Sequence, residues 1–257
     1  MRTFMYNYGL CALCCVLTLS ASAQKLPNIQ EASQWIPSTA KIDGKLSEWP
    51  ASLKAYNNAT LVEYTLANDT KNLYLAIRSK DKTATAKILA GGISLALSSS
   101  EQIKGPEIIF PVTKSTYSYV KTGWPVKTFN VLTDSTAIRN EITQLKEIKV
   151  LRLKGVNDSL LSIYNEYGIE SKLAYSNETL ICELSIPLDL ISLSPKSSAG
   201  FTYRLMLNGV PVPPRPSDIP EPQRLPPPIV TQRGDVNEWE IQAATYLDGK
   251  YSLAKSK

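Results

Sequence analysis

The sequence predicts an all-β fold: a two-sheet antiparallel β-sandwich with one or two short helices and a proline-rich loop near the C-terminus. Leu73, Leu75 and Ile77 alternate with less apolar residues at a period of two, which is typical of a half-buried strand. Further short apolar runs are separated by turn signals such as Asn157-Asp158 and Ser176-Asn177. Short strands with turn signals at this spacing are typical of a sandwich.

The strands and helices follow from the same patterns, taken in order. Strands are predicted over residues 61–66, 73–79, 93–97, 106–112, 148–153, 168–175, 179–186 and 201–207. A helix over 83–90 ends at Gly91-Gly92, and an amphipathic helix with Ser135 as its N-cap runs to about residue 147. Pro106 and Pro111 bracket one strand, which indicates a sheet edge or a strand end.

The domain organisation follows from changes in composition. We expect a signal peptide over 1–23, a polar lead-in over 24–37 and the β-sandwich over 38–208. Residues 209–235 form a proline-rich loop or linker, with nine prolines between positions 211 and 228. Residues 236–257 are predicted to form a C-terminal β-hairpin that turns at Asp248-Gly249 and returns to the sandwich.

The N-terminus has the layout of a cleavable signal peptide, with Arg2 before an apolar run and cleavage after Ala23. This run is shorter than the ~20 residues that cross a bilayer, and no later segment approaches that length. We therefore expect a periplasmic or secreted protein without a membrane span. Three of the four cysteines lie in this peptide, so the mature chain keeps Cys182 and cannot form an internal disulfide.

The chain contains no histidine, which excludes His-dependent nucleophilic catalysis, His-ligated zinc and haem with a histidine ligand. Calcium held by oxygen ligands and a distant pair of carboxylates for glycoside hydrolysis are left open. Asp69 and Asp81 lack the dense spacing of a calcium-binding loop, so we expect them to be turn residues. No cofactor and no metal is predicted.

The charge pattern argues against a nucleic-acid partner. The formal net charge is +5, but the basic residues are scattered along the chain. Nucleic-acid binding requires clustered Lys and Arg side chains, often interleaved with exposed aromatic residues. We therefore expect no nucleic acid among the partners.

Three short motifs carry a resemblance to a known family. They are Ile42-Asp43-Gly44 followed by Glu48-Trp49; Asn72-Leu73-Tyr74-Leu75-Ala76-Ile77 with Asp81; and Cys182-Glu183-Leu184-Ser185-Ile186-Pro187-Leu188. In order and spacing the chain resembles the family 9 carbohydrate-binding modules and the wider DOMON-like β-sandwich superfamily over about residues 38–208. Residues 86–111 and the signal peptide also resemble secreted proteins of Bacteroidetes.

The resemblance implies two packed antiparallel sheets and sugar binding at an open site by aromatic stacking, with calcium or haem in some members. Haem is not expected here, because the chain offers no histidine or exposed methionine pair. Many members place an acidic residue at the start of the strand after the helix, where this chain has Gly92-Ile93-Ser94-Leu95. For Asp43, Gly44 and Trp49 we expect structural roles, in a turn and in the core.

Loop aromatic residues are the candidate ligand contacts. Trp124, together with Tyr117 and Tyr119, lies in irregular sequence where an exposed ring could stack on a sugar. Tyr164 and Tyr167 form a second aromatic cluster. The alternative for Trp124 is a loop anchor packed in the interior.

These observations predict an exported, non-catalytic binding module for a carbohydrate or another small polar ligand. The alternative is an envelope protein-interaction or scaffold protein on the same fold, which binds a protein partner through the proline-rich segment or a sheet edge. A hydrolase ranks behind both, since nothing in the sequence marks a catalytic carboxylate pair.

Overall fold

The structure is a computed structural model that describes residues 25–37, 40–50, 53–98, 104–119, 123–128, 130–194, 200–221, 232–233, 236–237 and 239–255. The predicted signal peptide lies outside these ranges, as do residues 222–231 of the proline-rich segment. Within them, no helix is both long enough and apolar enough to span a bilayer.

Fifteen strands and two helices are found in the described residues. In chain order they are β1 Ala55–Asn57, β2 Val62–Asn68, β3 Asn72–Ser79, α1 Lys82–Gly91, β4 Ile93–Ser98, β5 Glu107–Phe110, β6 Tyr117–Tyr119, β7 Pro125–Lys127, α2 Ser135–Gln144, β8 Glu147–Leu151, β9 Leu160–Ser162, β10 Glu170–Ser176, β11 Thr179–Pro187, β12 Phe201–Leu207, β13 Gln232–Arg233, β14 Val236–Asn237 and β15 Thr245–Tyr251.

Two antiparallel sheets form the body of the molecule, which confirms the predicted fold class. The five-stranded sheet has the order β1-β2-β3-β11-β10, and the six-stranded sheet has the order β15-β12-β4-β5-β8-β9. The main core lies between them and is built from alternate residues of the strands, such as Leu75, Leu184 and Leu205. At its centre, the hydroxyls of Tyr64 on β2 and Tyr203 on β12 lie 2.9 Å apart and join the two sheets.

The central strands β2, β3 and β11 of the five-stranded sheet are buried on both faces. The sheet's inner face contributes to the main core, and its outer face carries Ala67, Tyr74 and Ala76, all at most 3% exposed. A segment that we call the N-terminal cover packs on this outer face, and its residues are Ile36, Ile42, Leu46, Trp49 and Leu53. Burial on both faces explains why β2, β3 and β11 contain runs of consecutive buried residues.

Glu183, in the middle of β11, attaches the N-terminal cover to the sheet. Its side chain is fully buried. Oε1 accepts a 2.7 Å hydrogen bond from the indole N–H of Trp49, and Oε2 accepts a 2.7 Å bond from the backbone N–H of Gly44. Gly44 has a φ of +85° and lies against Ala174 of β10, a position where a Cβ would clash. The motif residues Gly44 and Trp49 therefore have the expected structural roles.

The six-stranded sheet is covered on one face only. Along β12, Phe201, Tyr203 and Leu205 are buried, whereas Thr202, Arg204 and Met206 are partly or fully exposed. β15 and β8 show the same alternation. The outer face of this sheet is thus the sandwich face that the N-terminal cover leaves open.

Of the two alternatives predicted for the strand at 106–112, the sheet edge is wrong, whereas the position of its two prolines at the strand ends is confirmed. β5 lies inside the six-stranded sheet, between β4 and β8. The two prolines do not interrupt its hydrogen bonds, because both Pro106 and Pro111 stand outside the paired residues 107–110. The helix predicted from Ser135 exists, but Asp134 is its N-cap, and the Asp134 carboxylate accepts hydrogen bonds from the N–H groups of Thr136 and Ala137.

The predicted hairpin turn at Asp248-Gly249 is also wrong. Both residues lie in the middle of β15, which pairs with β12 along its whole length and so joins the six-stranded sheet. Gly249 is directly opposite Tyr203, and a Cβ at this position would overlap the Tyr203 ring. Glycine is therefore needed here for close packing under an aromatic ring and not for a turn.

Small elements complete the molecule. β6 pairs with β7, and β13 pairs with β14. A third apolar cluster joins α1 to the chain after β12, through residues that include Ala86, Ala90, Val210 and Ile241. The predicted proline-rich segment begins here, and its described part is held by a hydrogen bond from the Val210 N–H to the Ile241 carbonyl.

Glu183→Gln should destabilise the protein. The carboxylate offers an acceptor to each of two buried N–H donors, whereas an amide offers one acceptor and sets its own N–H₂ group against the other donor. At neutral pH we expect a loss of about 1–3 kcal/mol in the free energy of unfolding, measured by urea denaturation. Glu147→Gln, an exposed change on β8, is the matched control and should have little effect.

The pH dependence of the same pair of proteins tests the burial of Glu183. Desolvation raises the pKa of this carboxyl. A raised folded-state pKa adds stability below the unfolded pKa of about 4.3, and that stability is lost as the pH rises through the folded value. The difference in the free energy of unfolding between the wild type and Glu183→Gln should therefore grow as the pH falls toward the unfolded pKa of about 4.3. If this difference in the free energy of unfolding stayed constant or shrank, a raised pKa of the Glu183 carboxyl would be contradicted.

Gly249→Ala should destabilise the protein by about 1–3 kcal/mol, because the new methyl group must displace the Tyr203 ring. In a Tyr203→Leu background the same change should cost less, since the obstructing ring is absent. A double-mutant cycle on the free energies of unfolding measures this coupling. Additive costs would show that Gly249 does not pack under Tyr203.

Candidate functional site

The hairpin β6–β7 brings together three of the predicted ligand contacts. Tyr117 and Tyr119 lie two residues apart on β6, and Tyr119 is opposite Pro125, the residue after Trp124. Tyr117 packs against the third apolar cluster, and the Tyr119 hydroxyl donates a 2.9 Å hydrogen bond to the Pro213 carbonyl. Trp124 is half-buried. Two of the three rings are thus engaged with the body of the molecule.

The second predicted cluster follows β9, on a different element. Tyr164 is 79% exposed, whereas Tyr167 is half-buried and packs against the main core. The Asn165 side chain holds this loop, since its Oδ1 accepts from the N–H groups of Tyr167 and Ile169. Ligand contact by any of these five aromatic residues stays a prediction.

The aspartates that were left open for calcium have structural roles in the described residues. Asp69 accepts from the N–H groups of Lys71 and Asn72 and from the Tyr74 hydroxyl. Asp81 is the N-cap of α1, where it accepts from the Ala84 N–H. In the described ranges, no three Cys, Asp or Glu side chains form a group that could hold a metal ion.

A large cavity lies on the open face of the six-stranded sheet. Its volume is about 900 Å³, within the range of ligand sites. We call it the β4 groove, and its lining includes Ser94, Ala96, Ser98, Lys104, Glu107, Arg152, Thr202, Arg204, Met206, Asp248 and Lys250. Sequence reasoning did not identify this site.

Side-chain size along neighbouring strands creates the groove. The outward positions of β4 are the small residues Ser94, Ala96 and Ser98, which form the floor. The register places longer side chains beside them, with Arg204 next to Ala96 on one side and Glu107 on the other. The groove therefore follows the direction of β4, between a wall from β12 and β15 and a wall from β5 and β8.

Arg204 and Asp248 line the first wall, and Tyr246, which stands beside the groove outside its lining, contacts Arg204. Arg204 donates from Nε and Nη2 to the two carboxylate oxygens of Asp248, at 2.7 and 2.8 Å. Its guanidinium carbon lies 4.2 Å from the centre of the Tyr246 ring, which is a cation–π contact. Tyr246 remains 50% exposed, so part of its surface is available at the rim.

The charges on the two walls are partly paired. The hydrogen bonds from Arg204 lower the pKa of the Asp248 carboxyl, which keeps it ionised. On the second wall, Arg152 donates from Nη2 to Glu107 at 3.2 Å and from Nε to the Gly105 carbonyl at 2.7 Å. The groove thus presents fixed hydrogen-bonding groups and a floor of small side chains, and the Tyr246 ring stands beside it.

Two sequence signals could have indicated the groove. The first is the alternation in β4, Ile93-Ser-Leu-Ala-Leu-Ser98, which puts only small side chains on one face. The second is the alternation of β15, where Tyr246, Asp248 and Lys250 share the same face. The second signal was hidden because Asp248-Gly249 was interpreted as a turn, which breaks the period of two at that point.

The two sheets and the β4 groove define a β-sandwich with one sheet face open to solvent. No protein-family model matches the chain, and no curated protein matches it. Among solved structures, it is similar to a family 9 carbohydrate-binding module from Caldicellulosiruptor kristjanssonii in complex with glucose. The identity is 11%, the match covers 88% of this chain and 97% of that chain, and the TM-score is 0.38.

A second similar structure is a family 9 carbohydrate-binding module from the same organism in complex with cellotriose. The identity is again 11%, with 68% of this chain and 75% of that chain covered and a TM-score of 0.30. Both structures are family 9 modules, the family that the sequence motifs resemble. The likeness to DOMON-like proteins and to secreted proteins of Bacteroidetes stays a prediction.

Proposed function

We propose that the protein is an exported, non-catalytic carbohydrate-binding module that binds its ligand in the β4 groove. Export rests on the predicted signal peptide at 1–23. The groove itself carries the proposal for the binding site, because it combines an elongated floor of small side chains with fixed polar groups, and the half-exposed ring of Tyr246 stands beside it.

The groove chemistry suits a sugar chain. A pyranose ring has an apolar face that stacks on aromatic rings, and Tyr246 offers such a surface at the rim. Sugar hydroxyls donate and accept hydrogen bonds, and the Arg204–Asp248 pair presents both kinds of group in a rigid arrangement. Because the pair is formed before the ligand arrives, little side-chain freedom is lost on binding.

Binding is favoured over hydrolysis by the state of the carboxylates. A glycoside hydrolase needs one carboxylic acid with a raised pKa to protonate the leaving group. In the groove, Asp248 has a lowered pKa because of Arg204, and Glu107 is paired with Arg152. Both carboxylates are thus arranged as hydrogen-bond acceptors.

The hairpin β6–β7 is a second candidate surface for the same ligand, with Trp124 as its contact residue. The protein-partner alternative depends on the proline-rich segment. Within its described part, the Pro213 carbonyl is engaged by Tyr119, and Arg215 pairs with Glu221 at 2.8 Å. The remainder of the segment, at 222–231, lies outside the described residues.

Tyr246→Ala should weaken glycan binding about tenfold, since it removes the stacking surface and leaves Arg204 without its ring partner. The dissociation constant for oligosaccharides selected from a glycan array, measured by calorimetry, gives this ratio. Tyr164→Ala is the matched control, because it removes an exposed tyrosine on another element.

A third variant, Trp124→Ala, separates the two surfaces. If binding occurs in the groove, Trp124→Ala and Tyr164→Ala should both retain the wild-type affinity. A loss with Trp124→Ala alone would move the site to the hairpin. If no glycan on the array is bound by the wild type, the proposed function is contradicted.

A further inference from the structure

We infer that the β4 groove prefers acidic oligosaccharides, whose carboxylate or sulfate groups bind at the Ser98 end while a sugar ring stacks at the Ser94 end. This inference rests on the proposed function and adds the class of ligand. It depends on how charge is distributed along the groove.

The groove carries more positive than negative charge. Its lining holds the basic residues Lys104, Arg152, Arg204 and Lys250, but only two acidic residues, Glu107 and Asp248. Each acidic residue is paired with an arginine. Lys104 and Lys250 have no ion pair with any described carboxylate, and both are exposed. Two ammonium groups are therefore available to an anionic ligand.

The two free lysines lie at the same end of the groove, on opposite walls. Lys250 is opposite Thr202, which in turn is opposite Ser98 at the end of β4. Lys104 precedes Gly105, whose backbone lies against Leu97 of β4. A ligand that reaches Ser98 is thus approached by a lysine from each side.

The aromatic ring lies at the other end. Tyr246 is opposite Met206, which is opposite Ser94 at the start of β4. From Tyr246 to Lys250 the strand advances by four residues, which is about 13 Å in an extended chain. A single sugar cannot span both ends, so the arrangement selects an oligosaccharide with an acidic group at a distance from the stacked ring.

Neutral glycans would gain little from the Ser98 end. An unpaired ammonium group forms its strongest hydrogen bonds with an anionic acceptor, and exposed pairs of this kind each contribute modestly and are weakened by salt. An acidic ligand should therefore bind more tightly than a neutral one of equal length, and its advantage should shrink at high ionic strength.

Calorimetry with three probes tests this inference on the purified protein. The probes are oligogalacturonate, a sulfated galactan oligosaccharide and a neutral cello-oligosaccharide of matched length, each at low and at physiological ionic strength. We expect the carboxylated or the sulfated probe, or both, to bind more tightly than the neutral one. The first two arms distinguish a carboxylate ligand from a sulfate ester.

Two lysine variants and a control test whether the tighter binding of acidic probes depends on the lysines of the groove. Lys250→Gln and Lys104→Gln should each weaken binding of the acidic probe about threefold, a larger loss than for the neutral probe. Lys41→Gln removes an exposed lysine near the N-terminal cover and should change neither.

The outcomes distinguish failure of the preference for acidic ligands from failure of carbohydrate binding itself. Equal or tighter binding of the neutral probe, lost with Tyr246→Ala, overturns the preference for acidic ligands and leaves the proposed function intact. Acidic binding that is weakened equally by all three lysine changes indicates general ion exchange and overturns the inference. Failure of all probes and of the glycan array overturns both.

Discussion

The buried carboxylate of Glu183 is the interaction on which the arrangement of the molecule depends. It places a group that requires hydrogen-bond donors in the centre of a β-sheet, and the donors come from Gly44 and Trp49. An unsatisfied carboxylate at this depth would cost several kcal/mol, so the N-terminal cover must lie over the five-stranded sheet. The sheet is thereby closed on its outer face. Among the described residues, the outer face of the central strands β2, β3 and β11 is then covered, whereas that of the six-stranded sheet remains open to a ligand.

Closure of one face also explains how the two sheets differ in sequence. Strands β2, β3 and β11 are buried on both sides and contain small or hydrogen-bonded residues on the outer side, such as Ala67, Ala76 and Ser185. Strands β12 and β15 keep the alternation of a sheet with one solvated face. The outward residues of this second group, Arg204, Tyr246 and Asp248, are free to combine polar and aromatic groups. Because the N-terminal cover packs on the five-stranded sheet, the polar and aromatic side chains of the groove lie on the six-stranded sheet.

Much of the fold could be predicted from local patterns. The alternation at Leu73, Leu75 and Ile77 correctly indicated β3, and similar runs indicated β10, β11 and β12. The very short strands β1, β9, β6 and β7 were missed, because three residues do not establish a period. Pro106 and Pro111 misplaced β5 at an edge, since a sequence does not show whether a proline stands inside or just outside a hydrogen-bonded ladder. Asp248-Gly249 was misinterpreted because the need for glycine came from a distant ring, Tyr203.

The same reasons limit what could be foreseen about the site. Loop aromatic residues such as Trp124 and Tyr164 can be found in the sequence, whereas a groove arises from residues on five strands that meet only in the folded sheet. Its floor depends on three small residues of β4, and its walls depend on the register of β12, β15, β5 and β8. Glu183 was placed within a family motif, but the motif alone did not show that both oxygens bind the N-terminal cover.

Hydroxyl-radical footprinting, read out by mass spectrometry, tests most directly that one sheet face is closed and the other receives the ligand. In the free protein, Tyr246 and Met206 on the six-stranded sheet should be oxidised rapidly, and a bound oligosaccharide should protect both. Trp49 and Tyr74, which are sealed over the five-stranded sheet, should react slowly with and without ligand. Rapid oxidation of Trp49 and Tyr74, or protection by ligand only at residues outside the β4 groove and its rim, would contradict this arrangement.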